Sequence, residues 1–269
     1  MGRLLLALVA LTACKTVNPP IDPQPESPGS HRAEVRTVVA GDGRGGTRVW
    51  EYRLLVPKEP ADGPLPLVVF LHGAGERGTD NELQLVHMPE LLLKEGGPSF
   101  DGYLLAPQCP EDQRWVETDW DRTDPEPMAP DPSAPMVAAM AALARTLEEE
   151  PIDRERVHLT GLSMGGYGTF DLGPRWSDLW ATLTPVCGGG DPDSAARFPR
   201  VPVWIWHGVD DPAVPFQRSV LMANALEAAG HDVRFEQLPE GTGHWAWGPT
   251  YDPDGPWWDW IAATRRPQP

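Results

Sequence analysis

Two kinds of hydrophobic pattern alternate along this chain. In one, nearly every residue is apolar over a short run. PLVVFLHG at 66–73 is the clearest case, and an unbroken run of that length predicts a parallel strand buried on both faces. GYLLAPQ (102–108), RVHLTG (156–161), WATLTPVCG (180–188), VPVWIWHG (201–208) and DVRFEQLPEG (232–241) read as further strands. In the other pattern, apolar residues recur every three or four positions. MVAAMAALARTLEEE at 136–150 does so, with Ser133 placed to cap a helix. Helices are also predicted within 82–95, 165–175, 216–229 and 256–265. Ahead of all these, 33–40 and 47–56 predict two antiparallel strands around the turn GDGRGG. Residues 110–132, rich in Pro and Asp, predict a loop. Strand alternating with helix predicts an α/β fold with a mostly parallel sheet flanked by helices. Such sheets carry their sites at the C-terminal ends of the strands.

At one such end the chain reads GLSMGG, residues 161–166. A serine between glycines, where a strand turns into a helix, is the context of a nucleophile elbow, which holds a hydroxyl at the apex of a strained turn. A serine needs a base to take its proton, and a histidine serves when a carboxylate orients it. His31 reads as linker, His87 as helix and His158 as strand interior. Elbow-bearing hydrolases run Ser, acid, His along the chain, which leaves His207, His231 and His244. His231 begins a strand and so lies at the opposite sheet edge. His244, in PEGTGHWAW, follows the last strand at the correct edge and is the predicted base. His207 reads as a structural residue of the acid loop.

Asp210 and Asp211 in WHGVDDPAVP, and Asp191 and Asp193 in CGGGDPD, are the candidate acids, although Asp beside Gly or Pro commonly makes turns. The spacing His207-Gly-x-x-Asp211 resembles hydrolase acid loops and favours Asp211, with Asp191 as the alternative. Consecutive residues point in different directions, so a mild effect is expected for Asp210→Asn. Acyl transfer also needs oxyanion donors. The Met164 N–H is one by position. The second is expected from His72-Gly73-Ala74-Gly75, at Ala74 or, as the alternative, Gly73.

FLHGAGERGTDN, APQCP, GLSMGGYGTFDL, PVCGGGD, HGVDDPAVP and GHWAW, taken as an ordered set, resemble the α/β-hydrolase superfamily. The likeness is above all to bacterial secreted esterases and a group of peptidase-like proteins allied to feruloyl esterases and polyhydroxybutyrate depolymerases. It covers about residues 34–266. The resemblance implies the α/β-hydrolase fold and Ser163, Asp211 and His244 as catalytic residues. It implies hydrolysis of carboxylic esters, small-molecule or saccharide, without a cofactor. A prolyl-oligopeptidase-like serine peptidase and a non-catalytic saccharide-binding lipoprotein are the alternatives.

Charge narrows the partners. A net charge of −17 and a pI near 4.7 argue against nucleic acid and anionic lipid. No Cys/His cluster has metal-ligand spacing. The aromatic residues are weighted to tryptophan, 12 Trp against 4 Tyr and 6 Phe. Trp115, Trp120, Trp245 and Trp247 fall in loops at the expected site, and Trp115 and Trp245 are the candidate substrate contacts. Trp176, Trp180, Trp204, Trp206, Trp257, Trp258 and Trp260 are expected in the core.

The first residues, MGRLLLALVALTACKT, give a basic residue, a short apolar run and Leu11-Thr12-Ala13-Cys14. The last four resemble a bacterial lipobox. The expected organisation is a signal peptide over 1–13, a proline-rich tether over 14–33 and a catalytic domain over 34–269. Cys14 would carry lipid and anchor an exported protein to a membrane, with Lys15 favouring the outer membrane of a Gram-negative cell. Cys109 and Cys187 follow strands three spacings apart, about 14 Å, beyond the reach of a disulfide. They are expected to be buried free thiols.

Overall fold

The computed structural model describes residues 29–267. The expected signal peptide, Cys14 and most of the expected tether lie outside the described residues. Eight strands form one sheet: β1 (His31–Gly41), β2 (Thr47–Pro57), β3 (Leu65–Leu71), β4 (Tyr103–Pro107), β5 (Ile152–Leu162), β6 (Thr182–Val186), β7 (Val203–Gly208) and β8 (Val233–Leu238). Their order is β1-β2-β4-β3-β5-β6-β7-β8. β2 pairs antiparallel with both β1 and β4, and every other pairing is parallel. The helices are α1 (Met88–Leu93), α2 (Ala134–Glu149), α3 (Met164–Arg175), α4 (Gln217–Ala228), α5 (Trp247–Thr250) and α6 (Pro256–Ala263). This is the mostly parallel α/β sheet, with its N-terminal hairpin, that the pattern predicts.

The unbroken apolar run of β3 has a simple cause. Leu67, Val69 and Leu71 face a layer that holds Met136, Phe170 and Met222 from α2, α3 and α4. Val68 and Phe70 face the other layer, with Met88 from α1 and Trp257 and Ile261 from α6. Both faces are covered, so no position can be polar. The tryptophans concentrate in this second layer. Trp204 lies 5.0 Å from Trp206 and 5.1 Å from Trp260, and Trp257 lies 4.8 Å from Trp258, between ring centroids. Ser133 caps α2, its Oγ accepting the Met136 N–H at 3.3 Å.

Three local readings change. His31 is not linker: it opens β1, is buried, and its Nε2 donates to the Gly102 carbonyl at 2.8 Å. The helix predicted over 82–95 shrinks to α1, preceded by a 3-10 turn at Leu83–Leu85. The break lies between the two, where Val86 is extended (ψ 155°) and His87 takes φ 71°, and Pro89 is accommodated only in the first turn of a helix. His87 therefore precedes α1 rather than lying within it. Cys109 and Cys187 are both buried and free.

Candidate active site

Parallel register brings three strand ends together. Leu71 of β3 pairs with Gly161 of β5, and Leu162 of β5 with Val186 of β6. Ser163 follows directly, with φ 54° and ψ −116°, and its N–H donates to the Val186 carbonyl at 2.9 Å. A residue with a Cβ seldom adopts this backbone. Gly165 is what allows it, since a Cβ there would overlap the Leu71 carbonyl. The turn thus holds the Ser163 hydroxyl above the sheet at the N-terminus of α3.

Ser163 Oγ lies 2.9 Å from His244 Nε2, and His244 Nδ1 lies 2.7 Å from Asp211 Oδ2. The Asp211 side chain is fully buried. It also meets His207 Nε2 at 3.1 Å and accepts the Ala213 and Val214 amides at 2.8 and 3.0 Å. Burial alone would raise its pKa. The hydrogen bonds from His207, His244 and Val214 outweigh burial and hold the carboxyl well below the usual carboxylate range. An ionised Asp211 can only accept, so His244 Nδ1 carries the proton and Nε2 offers its lone pair to Ser163. His207, read as structural, braces this loop from below through Ser219 Oγ at 2.8 Å.

The other candidates are occupied elsewhere. Asp191 accepts the amides of Asp193 and Met128 at 3.0 and 2.8 Å. Asp210 clamps the loop that carries His244, accepting the Gly241 and Gly243 amides at 2.7 and 2.9 Å. Asparagine can accept with one atom only, so Asp210→Asn loses half of this clamp. A net hydrogen bond is worth about 1 kcal/mol, and kcat on an ester substrate should fall by roughly three- to tenfold. A larger loss would mean that Asp210 does more than hold the loop. His158 and His231 are buried, bonded to Thr182 Oγ1 at 2.9 Å and to the Ala195 carbonyl at 2.9 Å.

The segment after β3 abuts the elbow. A Cβ on Gly73 would lie 3.5 Å from Ser163 Cβ. His72 Nε2 accepts the Cys109 N–H at 2.9 Å, which puts its own proton on Nδ1. Nδ1 then donates to the Gly73 carbonyl at 2.6 Å. Burial lowers the His72 pKa to about 4, consistent with this neutral tautomer. Peptide planarity makes the Ala74 N–H point opposite to the Gly73 C=O. His72 therefore sets the direction of Ala74 N–H. On the other side, the Met164 N–H begins α3, where amides have no intrahelical partner.

Trp115, expected as a substrate contact, is not one. It is only 1% exposed, and its indole N–H donates to the His72 carbonyl at 2.9 Å. It supports the segment from beneath and offers no face to a ligand. Trp245 is 60% exposed beside His244, packed over Gly248. Trp247 meets the His244 ring edge-on, with centroids 5.4 Å apart. Residues 108–133, which wall the site, form no helix or strand. Side chains hold this wall by its carbonyls: Ser133 at Trp115 (2.8 Å), Tyr167 at Trp120 (3.2 Å), Arg218 at Asp124 (2.7 Å) and Arg175 at Ala129 (2.7 Å).

Donor atoms of Cys187, Asp211 and His244 fall within 4.8 Å of one another. Burial raises the Cys187 pKa well above that of a free thiol, which keeps it protonated and a poor metal ligand. Asp211 and His244 already satisfy each other. The cluster is better suited to proton transfer than to holding a cation.

No family model matches the chain, and no curated protein matches it. Among solved structures it is similar to a thermostable esterase at 33% identity, over 88% of this chain and 64% of that one, with a TM-score of 0.72. The chain thus spans less than two thirds of that esterase. It is similar in fold to a Staphylococcus aureus fluorophosphonate-binding serine hydrolase F, at 13% identity over 87% and 99% of the two chains, with a TM-score of 0.60. A Pyrococcus horikoshii acylaminoacyl peptidase aligns at 13% identity over 89% and 43%, with a TM-score of 0.63.

Proposed function

We propose that this chain, which has the α/β-hydrolase fold, is a serine hydrolase acting on carboxylic esters. One observation carries the reading: the run from Ser163 Oγ to His244 at 2.9 Å and on to Asp211 at 2.7 Å, mounted on a strained elbow. Ser163 Oγ attacks the ester carbonyl carbon while its proton passes to His244 Nε2. The amides of Met164 and Ala74 stabilise the oxyanion. The tetrahedral intermediate expels the alcohol, which takes the proton from His244, and leaves Ser163 acylated. Water then gives a proton to His244 and attacks the acyl carbon. Collapse releases the acid and returns the proton to Ser163. Asp211 stabilises the imidazolium in both halves.

Esters are favoured over peptides because the neighbour at 33% identity is an esterase, whereas the acylaminoacyl peptidase at 13% bears on fold alone. Trp245, exposed beside His244, is the proposed contact for an aryl or sugar group of the substrate. The test is a panel of p-nitrophenyl esters, feruloyl and acetylated sugars, and peptide amides. Ester turnover supports the proposal. Turnover of amides alone would make the protein a peptidase, and saccharide binding without turnover would make it a binding protein.

For location, the proposal is an exported lipoprotein anchored through Cys14 to the outer membrane. The lipobox-like Leu11-Thr12-Ala13-Cys14 and the following proline-rich stretch support it together. A single acyl chain binds membranes only marginally, so stable anchoring through Cys14 requires more than one chain there or a second attachment. Cys14→Ser should shift the protein from the membrane to the soluble fraction on fractionation. Unchanged partition would rule the anchor out.

A further inference from the structure

Two non-glycine residues share one rare backbone conformation at the mouth of the site. Ser163 has φ 54° and ψ −116°, and His87 has φ 71° and ψ −115°. Each immediately precedes a helix. Such backbone persists only where its surroundings over-determine it. The elbow accounts for Ser163. His87 lies far along the chain, yet its ring is 5.1 Å from that of Trp247, which in turn meets His244 at 5.4 Å.

His87 Nε2 also lies 3.4 Å from Glu76 Oε1. Glu76 curls back over the oxyanion segment. Its Oε2 is 2.9 Å from the point where a Gly73 Cβ would stand, the same point that is 3.5 Å from Ser163 Cβ. A chain of contacts therefore runs Ser163, His244, Trp247, His87 and Glu76, and ends at Gly73, whose Cβ-free side faces Ser163. Glu76 is the third residue of the 3-10 turn Ala74–Glu76, and Gly73 is its N-cap. A glutamate at that position can reach back to the N-cap amide, as in a capping box. Oε2 completes no full hydrogen bond, but it is buried and lies close over Gly73. Burial alone would raise its pKa; His87, His72 and the Gly73 amide outweigh burial and draw the carboxyl below its ordinary value.

An ionised carboxylate here stands beside the place where an oxyanion forms. Unless it is offset, like-charge repulsion at such a separation slows the reaction on the order of tenfold or more. We propose that Glu76 and His87 are positioning residues of the oxyanion segment. Glu76 engages the Gly73 amide, so the Ala74 N–H is the one left for the oxyanion. His87 partners that carboxylate and keeps its charge from opposing the reaction. The proposal rests on the serine-hydrolase reading of the site.

The test is a double-mutant cycle in the full chain, with kcat and KM measured on a short p-nitrophenyl ester and Ser163 labelling by a fluorophosphonate. Asparagine tolerates the positive φ at 87 but is too short to reach Glu76. His87→Asn should lower kcat about tenfold with KM within about twofold. Glu76→Gln keeps the size and removes the charge, and should cost about threefold in kcat. In Glu76→Gln/His87→Asn, kcat should return to the level of Glu76→Gln alone, because no charge remains to be offset. Losses that multiply would overturn the inference and mark both residues as merely structural, as would unchanged kcat in His87→Asn. A wild-type protein that neither turns over esters nor labels at Ser163 would overturn the hydrolase reading and this inference with it.

Discussion

Ser163→Ala abolishes ester turnover and fluorophosphonate labelling together, while the fold stays intact. The two parts of that expectation have separate causes. Alanine keeps the Cβ that the elbow already accommodates at φ 54°, and removes only an oxygen whose partner is His244. No neighbouring group can replace it, because the Cys187 thiol is buried and its raised pKa keeps it protonated. Loss of a triad serine lowers kcat by about 10⁶-fold in an enzyme of this mechanism, which here means no detectable turnover. Mass spectrometry of the labelled wild type locates the adduct. An adduct on any other serine, or turnover that survives in Ser163→Ala, would reduce GLSMGG to a turn.

The second large effect is at Asp211. Its two oxygens face His244, His207 and the amides of Ala213 and Val214, all of them donors. Asparagine has the same shape but turns an NH₂ toward one side of that cluster. If the NH₂ faces His244, the ring must present Nδ1 as acceptor, and its proton moves to Nε2, the atom that should take the serine proton. If it faces Ala213 and Val214, two donors meet a third. Either way kcat falls by about 10³- to 10⁴-fold, far beyond the loss expected for Asp210→Asn. Circular dichroism confirms that the variants fold. A severe loss in Asp191→Asn, with Asp211→Asn nearly as active as wild type, would move the acid one strand earlier.

Much of this architecture is legible in the sequence because its cause is local. The apolar run of β3 reflects burial on both faces, and GLSMGG reflects a backbone path that only glycine neighbours allow. What escapes is set by contacts far apart along the chain. His31 follows a proline-rich stretch and looks like linker, yet the Gly102 carbonyl across the sheet gives it a buried partner. Trp115 sits in a Pro- and Asp-rich loop and looks like a surface aromatic, yet the free carbonyl of His72 draws its indole inward. His87 breaks the chain at φ 71°, where its ring meets Trp247 from far along the sequence, so apolar spacing at 82–95 overstates the helix. Glu76 carries no motif of its own. Its place at the third residue of a short turn after HGAG is the one sequence signal that could have found it.

The wall over residues 108–133 is fastened mainly by its carbonyl oxygens, which every amino acid possesses. Where the grip falls on a carbonyl, as at Trp120, Asp124 and Ala129, the side chain there is free to differ, whereas Gln108, Trp115 and Ser133 are fastened by their own side chains. The residues that grip it, among them Tyr167, Arg175 and Arg218, stand on α3 and α4, helices packed against the sheet rather than part of the wall. Changes at Trp120, Asp124 or Ala129 would alter the surface this segment presents without breaking those grips, whereas Trp115 and Cys109, bonded to His72, are tied to the oxyanion segment.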